Sequence, residues 1–257
     1  MLDSGNKSYP SQRSLSIRTK PDGFSFCSTT ARGDLFKELK MPTRFDFPER
    51  FEEFVHLRGW AEKENLQVTL IDFSDRFMIL PDKVTEDEQI KTFFNFQFQH
   101  EEETQILKVS LCDGKQLFCW EMPSDRDRLF EQLFPRLTIL SSAYLLANWT
   151  IRQASVKQKP LLVAHLYENT MQVFAANAQM LLFANTFPIK NIQEIPYFLL
   201  RCMDQLSFDP VTTNCIFCPE SVSEEDLFEI FSPYIKHIRM AHFTHHINEP
   251  LQFSENK

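Results

Sequence analysis

The chain has 257 residues and a mass of 30.3 kDa, enough for one large domain or two small ones with a sizeable core. A hydrophobic fraction of 43%, including 26 phenylalanines, excludes intrinsic disorder. The 27 basic and 35 acidic side chains leave a net charge of −8, which excludes a general nucleic-acid binder, since neutralising phosphates needs clustered Lys and Arg.

Residues 1–13 are polar and read as a disordered tail; Lys7, Arg13, Arg18 and Lys20 are a mild basic run, best read as solvated charge. A strand begins at Leu15-Ser16-Ile17. Pro21-Asp22-Gly23 is a turn, and Phe24 to Ser28 alternates as a second strand. Leu35 to Leu39 reads as a third. Pro48 opens a helix through about Asn65, with Phe51, Phe54, Val55 and Trp60 near one face, and Val68 to Ile71 is a buried strand. Arg76 to Leu80 reads as a strand and Thr85 to Phe98 as a helix with a stripe of Ile90, Phe93, Phe94 and Phe98. Ile106 to Leu111 and Lys115 to Trp120 flank Cys112-Asp113-Gly114 as a hairpin. Ser124 caps a helix that Pro135 stops, Leu137 to Leu140 is a strand, and Ser141 to Ala154 is a helix.

Lys157 to Pro160 is a boundary, and the pattern beyond it is cleaner. Leu161–Tyr167, Thr170–Ala176 and Met180–Phe187 are three consecutive strands. Their turns centre on Glu168-Asn169 and Asn177-Ala178, where Asn tolerates positive φ. A helix from about Asn191 to Leu206 follows, with Pro196 confined to its first turn. Asn214–Cys218 is a strand, Ser223 caps a helix that Pro233 stops, and Ile235–Met240 is the last strand, followed by a polar tail over 241–257.

The second half therefore reads β-β-β-α-β-α-β. The first half repeats that order if about 74–110 is an insertion. Leu129-Phe130-Glu131 with Pro135 recurs as Leu227-Phe228-Glu229 with Pro233, at the same place in each half. Three meandering strands followed by two crossovers make a mixed α/β sheet with helices on its faces. The expected domains are a first lobe over 14–157 and a second over 158–240.

Two such ribonuclease-H-like halves in tandem resemble the actin-like ATPase superfamily. Leu182-Phe183-Ala184-Asn185-Thr186-Phe187, then Tyr197 to Pro210, together with Leu15 to Arg18 and Asp22 to Phe26, resemble an uncharacterised bacterial family, domain-of-unknown-function family 3822. That resemblance covers about 14–240 and implies a fold similar to actin-like pilus-assembly proteins. In active members of the superfamily the first hairpin of each half carries a Gly-containing phosphate loop, and a Gly pair after the fourth strand of the second half approaches the nucleoside. Carried onto this chain, those positions are Asp22-Gly23, Glu168-Asn169 and Pro219-Glu220-Ser221.

The five glycines are Gly5, Gly23, Gly33, Gly59 and Gly114, so nothing beyond 114 can supply a dinucleotide fingerprint or a P-loop. Glu168 and Glu220 would set negative charge beside an anion, at about 1 kcal/mol per contact at ~4 Å even in water. The expectation is a degenerate nucleotide site with Asp22, Gly23, Glu168, Asn169 and Glu220 as cleft remnants, and no catalytic residue, cofactor or metal.

Other constellations point to weaker chemistry. Cys215-Ile216-Phe217-Cys218 is a C-x-x-C that could form a zinc half-site with His242, His245 or His246. On a strand, however, residues three apart face opposite ways, which favours two buried thiols. His165 sits in a buried strand, near Glu168 and Tyr167 in sequence, and reads as a satisfied core histidine. No G-x-S-x-G elbow occurs, the first strand of each half lacks Asp and Glu, and Glu101-Glu102-Glu103 reads as a solvated connector. The Phe93, Phe94, Phe96 and Phe98 cluster leaves rings over for a partner.

The resulting expectation is a non-catalytic actin-like scaffold that binds an unidentified protein or itself, through the interlobe cleft or the 74–110 insertion. Alternatives are a divergent ATPase or kinase with an altered phosphate loop, and a small-ligand module using the cleft. No apolar run reaches the ~20 residues of a membrane span, and no signal-like stretch opens the chain. A cytoplasmic location with reduced cysteines, without nucleic acid or membrane insertion, is expected.

Overall fold

The computed structural model describes residues 14–30, 33–40, 47–60, 66–98 and 103–254. The expected N-terminal tail, Glu101 and Glu102 lie outside them. In chain order the elements are β1 (Ser14–Lys20), β2 (Gly23–Thr30), β3 (Gly33–Lys40), α1 (Phe47–Leu57), β4 (Gln67–Asp72), β5 (Phe77–Pro81) and α2 (Asp87–Phe98). Then come β6 (Thr104–Ser110), β7 (Gln116–Pro123), α3 (Ser124–Leu133), β8 (Leu137–Ser141) and α4 (Ser142–Lys157). The chain ends with β9 (Leu161–Tyr167), β10 (Thr170–Ala176), β11 (Leu181–Pro188), α5 (Ile195–Gln205), β12 (Asn214–Pro219), α6 (Glu224–Phe231), β13 (His237–Phe243) and β14 (Leu251–Phe253). They form two compact units: Met1–Asp72 with Asp125–Leu140, and Phe73–Ser124 with Ser141–Lys257.

The first unit is a five-stranded sheet in the order β3-β2-β1-β4-β8. β1 and β2 are antiparallel across a two-residue turn, with Lys20 paired to Gly23, and β1 runs parallel to β4. Period-2 alternation puts Phe24 and Phe26 of β2 on one buried face. There Phe24 meets Phe51 of α1 at 5.0 Å and Phe26 meets Trp60 at 4.9 Å, both edge to face. Phe51 reaches on to Phe130 of α3 at 4.8 Å. α1 stops at Leu57, short of the Asn65 its apolar pattern suggests; Gly59 takes φ 58°, a left-handed turn that ends the helix, and 61–65 are outside the described residues.

The second unit holds a six-stranded sheet, β11-β10-β9-β12-β13-β14, and a three-stranded one, β5-β7-β6. Its first five strands repeat the order of the first unit's sheet, so the two halves share one topology. One face packs Leu162, Ala164, Leu166, Met171, Val173, Cys215 and Phe217 against Leu199 and Met203 of α5 and Leu227 and Phe231 of α6. Pro196 sits in the first turn of α5, and Ser223 caps α6 by accepting the Asp226 amide at 3.0 Å. The opposite face carries α4, most of whose residues up to Ala154 are buried, and Phe77 of β5 stacks on Phe174 of β10 at 5.8 Å. The three-stranded sheet takes in β7 as well as the 74–110 segment, and its other face packs Met78, Leu80 and Cys119 on Ile90 and Phe94 of α2.

Two local expectations are corrected. Positive φ in the β9–β10 turn falls on Glu168 (47°) and not on Asn169; the β10–β11 turn is held instead by the Asn177 side chain, which accepts the Gln179 and Met180 amides, both at 2.9 Å. The polar tail is also structured through Ser254. β13 runs to Phe243, β14 pairs with it, and Leu251 is 4% exposed. Glu249 accepts the Trp149 indole N–H at 3.0 Å, and Arg239 lies over the Phe253 ring at 3.5 Å. The three residues of β14 carry only two apolar side chains, Leu251 and Phe253, too short a pattern to read as a strand.

Candidate functional site

Each repeat presents a hairpin turn and a strand end where the superfamily resemblance sets phosphates and nucleoside. In the first unit the turn is Pro21-Asp22, closed by the Lys20–Gly23 pair. Asp22 is half-buried and Gly23 is buried with φ 153°. In the second unit the turn is Glu168-Asn169, closed by the Tyr167–Thr170 pair. Both residues are exposed, and the Asn169 carbonyl accepts the Ile189 amide at 2.6 Å. A two-residue turn exposes at most two amides, and Pro21 removes one of them. Neither turn forms the row of amides from which an oligophosphate cradle is built.

Glu220, by contrast, belongs to a buried polar cluster in the second unit. Equal distances from the Glu168-Asn169 turn place His165 of β9 opposite Gln172 of β10, and the parallel register of β9 with β12 places it opposite Cys218. Glu220 follows the end of β12 and is held by its amide, which donates to the Leu166 carbonyl at 2.9 Å. His165 Nε2 lies 2.6 Å from Glu220 Oε1, with side-chain exposures of 0% and 13%. On the other ring edge, His165 Nδ1 lies 3.3 Å from Gln172 Oε1.

The Gln172 amide is oriented by its own partner. Its Nε2 donates to the Ser74 carbonyl at 2.8 Å, so Oε1 is the atom facing His165, and the ring donates from Nδ1. The rings of Phe73 and Phe243 lie 6.3 and 5.8 Å from the imidazole and exclude water from it. Cys218 completes the cluster: one donor atom each of His165, Cys218 and Glu220 lies within 4.8 Å of the others.

A second buried carboxylate, Asp72, ends β4 in the first unit. Burial pushes its carboxyl up, opposed by the Arg126 guanidinium at 3.4 Å and the Thr19 hydroxyl, which donates at 2.8 Å. The remaining thiols are set by burial. Cys119 and Cys215 are pushed up to about 12 and Cys202 to about 11 by loss of water around the thiolate. Cys215 and Cys218 do face opposite sides of β12: the former packs in the core, the latter meets His165. His242 is engaged elsewhere, 3.3 Å from Glu224 and 3.1 Å from the Ser254 hydroxyl. Among the described residues no helix is long and apolar enough to cross a membrane.

The chain matches, over residues 3–238, the family described as protein of unknown function, DUF3822. It belongs to that family. Among solved structures, a Bacteroides thetaiotaomicron protein with actin-like ATPase fold and unknown function superposes with a TM-score of 0.78 at 19% identity, covering 89% of this chain and 90% of that one. A PilM-PilN type IV pilus biogenesis complex gives 0.50 at 8% identity, covering 88% and 87%. Among curated proteins none matches the sequence. The fold is thus the actin-like ATPase fold, as the repeated strand order implies.

Within this DUF3822 member the structure joins residues that sequence alone keeps apart. Sequence position sets Glu220 at the nucleoside end of the second half and leaves His165 as a core histidine with only Glu168 and Tyr167 nearby in sequence; in the fold His165 and Glu220 meet. The signal is present in part. A two-residue turn at 168–169 dictates the 165–172 pair. Nothing local dictates that β12 lies against β9 in the register that aligns 218 with 165.

Proposed function

We propose that this protein is a non-catalytic actin-like protein that works by binding another protein. The observation that carries the reading is the pair of tight hairpin turns. Each is two residues long, the first with proline and the second with an exposed Glu168, so neither supplies the row of backbone donors that cradles an oligophosphate. The fold itself occurs in a protein assembly, the PilM-PilN type IV pilus biogenesis complex. The chain also keeps aromatic surface that its core does not use: on α2, Ile90 and Phe94 are buried, whereas Phe96 is 94% exposed and Phe93 is exposed beside it.

The test is thermal unfolding with ATP or ADP plus magnesium, paired with a nucleotide-hydrolysis assay. No shift in midpoint and no turnover are expected. A ligand at a hundred times its Kd adds about 2.7 kcal/mol of stability, so occupancy would be plain. A shift that Asp22→Ala abolishes would overturn the reading in favour of a divergent ATPase. For the partner, affinity capture with the wild-type chain and with the Phe93→Ser/Phe96→Ser pair should show a stoichiometric protein that the variant loses.

A further inference from the structure

We propose that His165, Cys218 and Glu220 form a binding site for one divalent transition-metal ion of zinc-like chemistry. The three side chains offer an imidazole nitrogen, a sulfur and a carboxylate oxygen, a donor set that suits zinc and its cobalt substitute and not calcium or magnesium. They come from two places in the chain, β9 and the end of β12, brought together by the parallel β9–β12 register. The site lies at the base of the β9–β10 hairpin and is built from side chains, not from the backbone amides of the Glu168-Asn169 turn.

The geometry needs small adjustment. Bonds of about 2.0–2.3 Å in a tetrahedron set donor atoms about 3.3–3.7 Å apart. The donors lie within 4.8 Å of one another, so no pair must close by more than about 1.5 Å, within the reach of side-chain torsions. The His165–Glu220 pair must open from 2.6 Å by somewhat under about 1 Å. Three protein ligands leave one tetrahedral position for water.

The surroundings are those that orient a ligating histidine. Gln172 Oε1 accepts from Nδ1 and is itself fixed by the Ser74 carbonyl, which turns Nε2 toward Cys218 and Glu220. When bound, Cys218 would ligate as thiolate and Glu220 as carboxylate, so their two negative charges would offset the two positive charges of the dication.

The experiment titrates the full, reduced chain with cobalt chloride and follows absorbance, then adds zinc chloride. Saturation at one cobalt per chain is expected, with a thiolate-to-cobalt charge-transfer band, intense four-coordinate visible bands, and loss of both when zinc displaces the cobalt. Cys218→Ser should abolish the charge-transfer band, while Cys112→Ser, at an exposed thiol outside the cluster, should leave it intact. Gln172→Ala should weaken binding by ~10–100-fold without removing the band, the effect of losing an orienting partner. Glu220→Gln, isosteric and at a partly exposed position, should weaken binding at least as much, and it decides the question if Cys218→Ser does not fold. Absence of saturable one-to-one binding, a band that survives Cys218→Ser, or unchanged affinity in Glu220→Gln would overturn the proposal.

Discussion

Replacing Leu251 by Ala tests whether the last segment is part of the fold. Leu251 is 4% exposed, opposite Phe243 in the β13–β14 pair. Around it, Arg152 donates to the Asn248 carbonyl at 2.7 Å, and the Phe253 ring lies 6.1 Å from that of Trp149. Truncating a buried Leu to Ala costs about 2–5 kcal/mol, the transfer free energy of the lost methyls plus the cavity they leave. β14 is three residues long at a sheet edge, where neighbours can settle into the gap, so the lower part of that range, about 2–3 kcal/mol, is expected. In a solvated tail the same change would move stability by no more than about 0.5 kcal/mol. The neighbouring Gln252 is exposed and serves as the control, since Gln252→Ala should stay within about 0.5 kcal/mol. Urea unfolding followed by tryptophan fluorescence reads the difference, because Trp149 borders the segment. The Leu251→Ala midpoint should fall with an unchanged slope. Equal midpoints for the two variants would refute the packing described for 244–254.

Two further predictions concern ionisable groups. Asp72 is held in the folded state with its carboxyl above the ordinary 3.8, burial outweighing Arg126 and Thr19, so the folded chain binds this proton more tightly than the unfolded chain. Its contribution is therefore greatest below 3.8 and declines as pH rises through the elevated value. Asp72→Asn should gain stability relative to wild type as pH increases over that interval, measured by melting temperature against pH; a relative loss would show that the Arg126 pair dominates. Thiol alkylation near neutral pH should modify Cys112 and the half-buried Cys27 first and leave Cys119, Cys202 and Cys215 unmodified until urea is added. At a value of about 12 only roughly one thiol in ten thousand is ionised at pH 8, and fast native labelling of Cys119 or Cys215 would contradict their burial.

What the sequence made legible was local. Hairpins closed by two residues, helix starts at Ser223 and stops at Pro135 and Pro233, and the recurring Leu-Phe-Glu were readable because each depends on neighbours within a few positions. From their order the actin-like fold followed. The less legible parts depend on partners far along the chain. Phe93 and Phe96 share a helix with Phe94, yet only the contacts of α2 with Met78, Leu80 and Cys119 decide which ring is buried. Glu249 and Leu251 look like tail residues until Trp149, a hundred positions earlier, supplies the surface they cover.

The repeat also explains why a polar cluster sits where it does. The turns align Lys20–Gly23 with Tyr167–Thr170, so Arg18 with Ser25 in the first unit corresponds to His165 with Gln172 in the second. All four side chains are buried, and each pair lies two residues before its turn, with Ile71 or Cys218 as the parallel neighbour. Both halves thus keep a polar cross-strand pair at one backbone position that an apolar pair would fill more cheaply, since burying such groups costs free energy unless every donor and acceptor is met. The chemistry nonetheless differs: a fixed cation and a hydroxyl in one half, an imidazole, an amide, a thiol and a carboxylate in the other. Shared topology accounts for the position but not for the donor set. Among the described residues only the second half places a nitrogen, a sulfur and an oxygen around one point, and that asymmetry between otherwise equivalent sheets is what a metal site requires and a purely structural pair does not.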